Sequence, residues 1–318
     1  MSGRIAPVTD AAEAQAKLTK LRTQDFSLPV HSHGKAKVRV MKVVRTEAKH
    51  FCYEYSVDTT LYSPTYERVF TADDNTDLVA TDTQKNTVYV VAKRTKADSP
   101  EQFAVDLCKH FLSEYSILTG AEALVRQVVW ERAVVDGSDH DHGWIKRGPE
   151  MNVGHCKFDR DDVPVVTSKL QGYTIFKSTQ SGFANYLQDK YTLLPPCEER
   201  CLSTEMDATW TYARDIDGDC GGSFDYSSLR TTVVSELTKG IFGPASGGVF
   251  SVSLQATIYD AGCMVLTACP DVKNIKIETP NKHYLPYRQL ETLGETFEDD
   301  VFTPTDEPSG TIQCIVER

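Results

Sequence analysis

The chain has 318 residues, 40% hydrophobic and 25% charged, a globular composition that excludes disorder throughout. Its 45 acidic and 34 basic residues leave a net charge of −11, which argues against a nucleic-acid binder and against a protein held on membranes by basic residues. No apolar run approaches the roughly 20 residues of a spanning helix, and the length suits about two domains. The nine cysteines are odd in number and irregularly spaced, and no apolar leader precedes them. They read as thiols of a reducing compartment.

Residues 1–33 read as an N-terminal tail. Within it, 11–21 has helix propensity, flanked by Pro7, Pro29 and the His-Ser-His stretch 31–33. Strand patterning begins at Gly34. Residues 51–58 alternate, with Phe51, Tyr53, Tyr55 and Val57 on one face, which predicts a half-buried antiparallel strand. Together 35–58 suit a hairpin. A helix is expected over 82–94. Ser99-Pro100-Glu101-Gln102 predicts the N-cap, N1 proline and N3 glutamine of a second helix, in a capping-box arrangement. Its buried stripe is Phe103, Leu107, Phe111 and Tyr115. Strands are expected near 122–135 and 150–158, separated by a turn rich in Gly, Asp and His.

The second half repeats this order. Strands are expected at 164–178 and 202–213. A helix over 225–241 has Asp225 as cap and Leu229, Val233, Leu237 and Ile241 as its stripe. Another helix at 256–269 precedes strands at 272–279 and 311–317. Each half reads strand, strand, helix, helix, strand, strand, although no residue identity links the halves. The pattern predicts an α+β fold of two similar units, 34–160 and 161–318, rather than alternating βαβ.

A phosphate-binding glycine loop is missing: 247–250 (GGVF) and 220–223 (CGGS) fit no nucleotide fingerprint, which argues against a nicotinamide or ATP enzyme. Cys197 with Cys201, and His140 with His142, lack partner knuckles in sequence, so no metal is expected. The thiols should pack as small apolar groups and the histidines should bond locally.

Three segments concentrate polar groups. Residues 79–93 put Thr81 and Asp82 at a helix N-terminus, whose N–H groups can hold an anion or ring acceptor, or simply be capped. Residues 174–204 combine Phe183 with Arg200. An aromatic face and a guanidinium fork suit a flat anionic heterocycle; the alternative is a core Phe and a surface Arg. Residues 279–286 put Asn281, Lys282 and His283 just after a strand, as a site on a rigid scaffold or as a polar turn. Composition and pattern stop there.

Seven blocks go further: GKAKVRVMK (34–42), VATDTQKNTVY (79–89), FKSTQSGF (176–183), DKYTLLP (189–195), STEMDATWTY (203–212), LQATIY (254–259) and PNKHYLP (280–286). In this order they resemble the urate oxidase (uricase) family. The resemblance implies two tandem tunnelling-fold (T-fold) units of antiparallel sheet with paired helices. It implies homotetramers whose sheets close into a tunnel-shaped barrel, with active sites between subunits. The implied reaction is cofactor-independent oxidation of urate by O2 to 5-hydroxyisourate, with H2O2 released. Urate and O2 are then the partners, and neither nucleic acid nor membrane is involved.

The resemblance also assigns residues. Phe183 would stack on the purine, while Arg200 and the Gln255 amide clamp its pyrimidine ring. The backbone N–H groups of Asp82 and Leu254 would reach other ring heteroatoms. Leu254 stands where the family often has Val, and its contact is through the backbone. Lys35, Thr81 and His283 would form a proton relay, with Asn281 and Thr81 holding O2 or water over the ring. Urate must lose a second proton before giving up an electron, so a base must lie within hydrogen-bond reach. The dianion is itself the reductant, so neither metal nor cofactor is implied.

Some features depart from the family. The lead-in through His33 is longer. The sequence ends Val316-Glu317-Arg318 where members often end in the peroxisomal Ser-Lys-Leu, so the expected location is cytoplasmic or peroxisomal. The Gly-rich stretches 214–222 and 243–248 have no assigned role. The rival readings are a T-fold pterin or purine enzyme of another reaction type, or a non-catalytic tetramer. Arg200 with Gln255 favours urate, because pterin sites of this fold usually anchor the heterocycle through Glu.

Overall fold

The computed structural model describes residues 14–16, 18, 26–212 and 224–318. Eight strands form one antiparallel sheet whose spatial order follows chain order. They are β1 (His33–Arg45), β2 (His50–Tyr62), β3 (Gly120–Val135), β4 (Ser138–Asp159), β5 (Val165–Lys177), β6 (Leu202–Tyr212), β7 (Val272–Pro286) and β8 (Phe302–Glu317). A short helix α1 (Glu67–Thr71) follows β2. The pair α2 (Thr81–Arg94) and α3 (Pro100–Glu114) lies between β2 and β3. The pair α4 (Tyr226–Phe242) and α5 (Leu254–Ala268) lies between β6 and β7. Within one chain the sheet is open, with β1 and β8 at its edges. No described helix is long and apolar enough to cross a membrane.

The expected α+β repeat is present: strand, strand, helix pair, strand, strand, twice. The alternation of 51–58 becomes β2, where Tyr55, Val57, Thr59 and Leu61 are buried and the residues between them are less so. Tyr55, Val57 and Leu61 meet Phe103, Leu107 and Phe111 of α3 in a first core cluster. Trp210, Ile275 and Ile277 meet Val233, Leu237, Ile258 and Val265 of α4 and α5 in a second. Each fully buried Leu, Ile or Phe contributes about 1.5–3 kcal/mol, so the two stripes stabilise the sheet–helix layers by many such increments.

Helix starts follow the predicted caps. Ser99 Oγ accepts from the Gln102 N–H at 3.2 Å, and Asp225 Oδ1 accepts from the Ser228 N–H at 2.8 Å. The second half of the expected capping box is not made, because the Gln102 amide donates instead to Asp106 at 2.8 Å. Ser99 is nearly fully buried, so Ser99→Ala leaves the Gln102 N–H without a partner. We expect it to cost about 0.5–2 kcal/mol, read as a lower urea midpoint with unchanged slope.

The structure corrects several boundaries. The expected turn between β3 and β4 is only Asp136-Gly137, with φ of 51° and 78°, the positive pair that a two-residue hairpin turn needs. The Asp- and His-rich residues beyond it belong to β4, pairing Asp139 with Val134 and Trp144 with Arg132. Asn281, Lys282 and His283 do not follow a strand. β7 continues through them to Pro286, because β8 begins at Phe302 and pairs with this stretch from Pro286–Phe302 to His283–Thr305. At the other end the His-Ser-His stretch is docked: His31 Nε2 donates to Ser63 O at 3.1 Å and His33 opens β1. Of the expected helix at 11–21, residues 14–16 and 18 are helical and exposed, and the rest lies outside the described residues. The stretch 214–222 also lies outside them.

One feature joins the two halves and was not anticipated. Glu101, in the first turn of α3, is fully buried and ion-paired to Arg230 of α4. Ser168 Oγ donates to the same carboxylate oxygen at 2.5 Å. Arg230 also donates to Lys169 O at 2.9 Å, and its guanidinium lies 4.9 Å from the Trp210 ring centre. Gly154 on β4 lets α3 approach: a Cβ there would stand 2.3 Å from the Glu101 nitrogen.

Candidate active site

The candidate residues fall into two sets. The first is built on the β1–β2 hairpin and the start of α2. Lys35 pairs with Thr59 across the hairpin, and the register slips just after it, between Lys35 and Val38. Lys37, in the bulge, has φ 57°, and its N–H donates to Asp58 Oδ1 at 2.6 Å. Gly34 allows the close approach before Lys35, since a Cβ there would lie 2.3 Å from Thr59 O.

Thr59 then fixes the helix. Its buried Oγ1 donates to Gln84 Oε1 at 2.9 Å, and the Gln84 amide donates to Val79 O at 3.2 Å. Thr81 is the first residue of α2, and the N-cap, Ala80, supplies no side-chain cap. Simple capping is therefore not the use of this segment. Asp82 does not cap either: its carboxylate accepts from Lys85 at 2.5 Å and from Asn86 at 2.8 Å. The Lys85 hydrogen bond and charge, then Asn86 and the more distant Lys35 charge, hold the Asp82 carboxyl below its usual range. Lys35, Thr81 and Asp82 thus sit together at one helix N-terminus.

The second set is assembled from three loop segments and β7. The segment after β5 is tied to the chain entering α5 by Gly182 N–H to Ser251 O and Ser251 N–H to Gln180 O, each 2.9 Å. It is tied to the 197–200 segment by reciprocal bonds between Phe183 and Cys197 at 2.7 and 2.9 Å, and by the Arg200 N–H to Ser181 O at 2.8 Å. The guanidinium carbon of Arg200 stands 5.4 Å from the Phe183 ring centre. Its Nε is buried without a partner among the described residues, and burial lowers the pKa of the group. An unspent planar donor beside an aromatic ring is what a flat anion would engage.

Phe183, Arg200, Asn281 and His283 all line one cavity of about 310 Å³. The alternative of a core Phe with a surface Arg therefore fails. Leu254 and Gln255 are adjacent in chain, in the first turn of α5, with Leu254 buried and Gln255 exposed. Ser253 caps that helix by accepting from the Ala256 N–H at 3.2 Å. Neither Leu254 nor Gln255 lines the cavity, and neither do Lys35, Thr81 and Asp82.

Comparison with known proteins gives the family. The uricase family pattern matches residues 31–157 and 166–313. The chain belongs to the uricase family. It is 40% identical over 291 residues to uricase-2 isozyme 2 of Glycine max, covering 90% of this chain and 94% of that one. It is 31% identical to the uricase of Oryctolagus cuniculus, covering 94% and 97%. The crystal structure of the Arthrobacter globiformis uricase superposes with a TM-score of 0.82 at 31% identity, covering 93% and 96%. The open sheet with paired helices is the uricase fold.

Residues outside the expected uricase set also shape the site. Lys177 ends β5 nearly buried, and its ammonium donates to Val249 O at 2.7 Å, Ser251 Oγ at 2.9 Å and Ile241 O at 3.3 Å. Burial lowers its pKa. These bonds give the 243–248 stretch a place: the chain between α4 and α5 is pinned onto β5, which sets where Leu254 and Gln255 begin. Lys177 lies inside the FKSTQSGF block, but nothing in its local pattern marks burial. Tyr186 stacks on Phe183 with ring centres 4.8 Å apart, so one face of Phe183 is already covered. Cys197 and Cys201 are not core thiols. Both line the cavity, and their Sγ atoms donate to Glu199 O and Ser178 O at 2.9 and 3.5 Å. Among the described residues no group of three or more His, Cys, Asp and Glu is placed to hold a metal ion.

Proposed function

We propose that this chain oxidises urate with O2 to 5-hydroxyisourate, releasing H2O2, without a bound cofactor, and that its active site is completed by a second copy of the chain in a homotetramer. Urate oxidation itself is the activity of its family. The observation that carries the fuller reading is the shared cavity of Phe183, Arg200, Asn281 and His283. At about 310 Å³ it is at the small end of ligand pockets, suited to a compact heterocycle.

In this reading Phe183 stacks on the purine and Arg200 clamps its anionic ring through a planar fork, with the Gln255 amide on the other side. Asn281 and His283 face the ring from β7. The relay residues Lys35 and Thr81, with the Asp82 N–H, line no part of the cavity in the same chain. A neighbouring copy would bring them to it, as the open edges of the sheet allow. Thr81 Oγ both donates and accepts, so it can pass the proton that urate must lose before it reduces O2.

Two measurements test this. Purified protein given urate, with no metal added, should consume O2 and form H2O2 in equal amounts. No urate-dependent uptake would end the reading. Lys35→Met and Arg200→Ala chains, each inactive alone, should regain activity when refolded together. Continued inactivity of mixed assemblies would place both sets in one chain.

A further inference from the structure

An ammonium has three hydrogens to donate, and those of Lys177 are matched by three acceptors: Val249 O, Ser251 Oγ and Ile241 O. Two of these lie on the chain leading into α5. The third is among the last carbonyls of α4, where the helix dipole favours a cation. All three acceptors are neutral, and Lys177 is only 7% exposed. Burying a charge among neutral groups costs stability relative to an apolar side chain of similar length. What the ammonium holds in place accounts for it better than what it adds to the core.

Ser251 passes that hold on in two directions. It is 3% exposed and bonded on three sides. Its Oγ accepts from Lys177 at 2.9 Å, its N–H donates to Gln180 O, and its carbonyl accepts from the Gly182 N–H. Ser181 and Ser251 thus form a parallel bridge, and Gly182 leads directly into Phe183. Gly182 is itself packed close, since a Cβ there would stand 3.0 Å from Cys197 O. Along its own chain, two residues beyond Ser251, Ser253 caps α5 at Leu254 and Gln255.

We propose that Lys177, acting through Ser251, is a positioning residue that sets the distance between Phe183 and the first turn of α5, and with it the width of the slot that takes the purine. This rests on the reading that Phe183, the Leu254 N–H and the Gln255 amide hold one urate. Lys177 lines no part of the cavity, so its effect is exerted through the backbone it fixes. The relay residues Lys35 and Thr81 stand on β1 and α2, away from this hold. Loss of the ammonium is therefore felt in urate binding before it is felt in proton transfer.

The test uses the full-length assembled enzyme. Lys177→Met keeps a comparable stem and removes all three donors. Its kcat/KM for urate should fall about 10²-fold, the scale of misplacing a group by about 1 Å, with most of the change in KM. Ser251→Ala should raise KM about 10-fold, the scale of one hydrogen bond to a charged group. Because the two side chains act in series, the double variant should be no worse than Lys177→Met. Ser99→Ala, which lowers stability in the other half, should leave KM unchanged. Hydrogen exchange without urate gives a second readout: Lys177→Met should speed the Gly182 and Ser251 amides and leave those of α3 unchanged. The proposal is overturned if KM is unchanged in both variants, if their effects simply add, or if exchange quickens while urate binding stays the same. Where Lys177→Met does not fold, Ser251→Ala decides: a raised KM supports the proposal and an unchanged one overturns it. A wild type that neither binds nor consumes urate overturns the proposed reaction, and the exchange result then decides the positioning role alone.

Discussion

Lys35→Met and Thr81→Ala each lower turnover by about 10²–10⁴-fold, the usual effect of removing a positioned acid or base. The Met side chain keeps a comparable stem and removes the ammonium. Ala removes the hydroxyl and one methyl and leaves the start of α2 intact, since Ala80 contributes no side-chain cap and Gln84 remains locked to Thr59. The loss should therefore appear in kcat, with anaerobic urate binding kept within a few-fold. The checks are the disappearance of the urate ultraviolet band and a calorimetric titration. Near-wild-type rates in both variants would remove the relay assignment.

Breaking the buried Glu101–Arg230 pair is the largest expected stability change. Glu101→Gln or Arg230→Met alone should each cost about 3–5 kcal/mol, because one partner is left buried and uncompensated. Arg230 additionally loses its bond to Lys169 O and its place over Trp210. The double variant should be less destabilised than the sum of the singles, since neither charge is then stranded. Urea unfolding at fixed pH and protein concentration gives all three numbers. Single-variant losses below about 1 kcal/mol, as for an exposed pair, would contradict this account.

Much of the fold is written locally. The alternation at 51–58, the caps Ser99 and Asp225, and the four-residue stripes of α3 and α4 need only near neighbours, and they appear except at their ends, where Phe51 is exposed and Tyr115 and Leu229 are only partly buried. Where the reading fell short, the deciding partner is distant or the signal was overruled by composition. Asp136-Gly137 is a hairpin signal, but the Asp and His residues after it look like a loop until they pair with β3. β7 runs on past Thr279 because Leu285 pairs with Thr303, a contact no local pattern shows. Lys177 and Arg230 look like surface charges, and only their partners in the 241–251 stretch and at Glu101 explain why they are buried. The site was legible in a different way. Residue chemistry alone indicated a planar anion near Phe183 and Arg200, and the cavity brings those two together with Asn281 and His283. Naming urate required the resemblance.

The Glu101–Arg230 pair has a consequence for how the chain is made. The partners are 129 residues apart, and the strand order follows chain order. While the ribosome is still adding β5, the first four strands and α3 can already close over their own core. Glu101 is then enclosed without its guanidinium, and the open rim of β4 waits beside it. The emergence of Arg230 then supplies the missing partner, so the arrival of the second half completes the first.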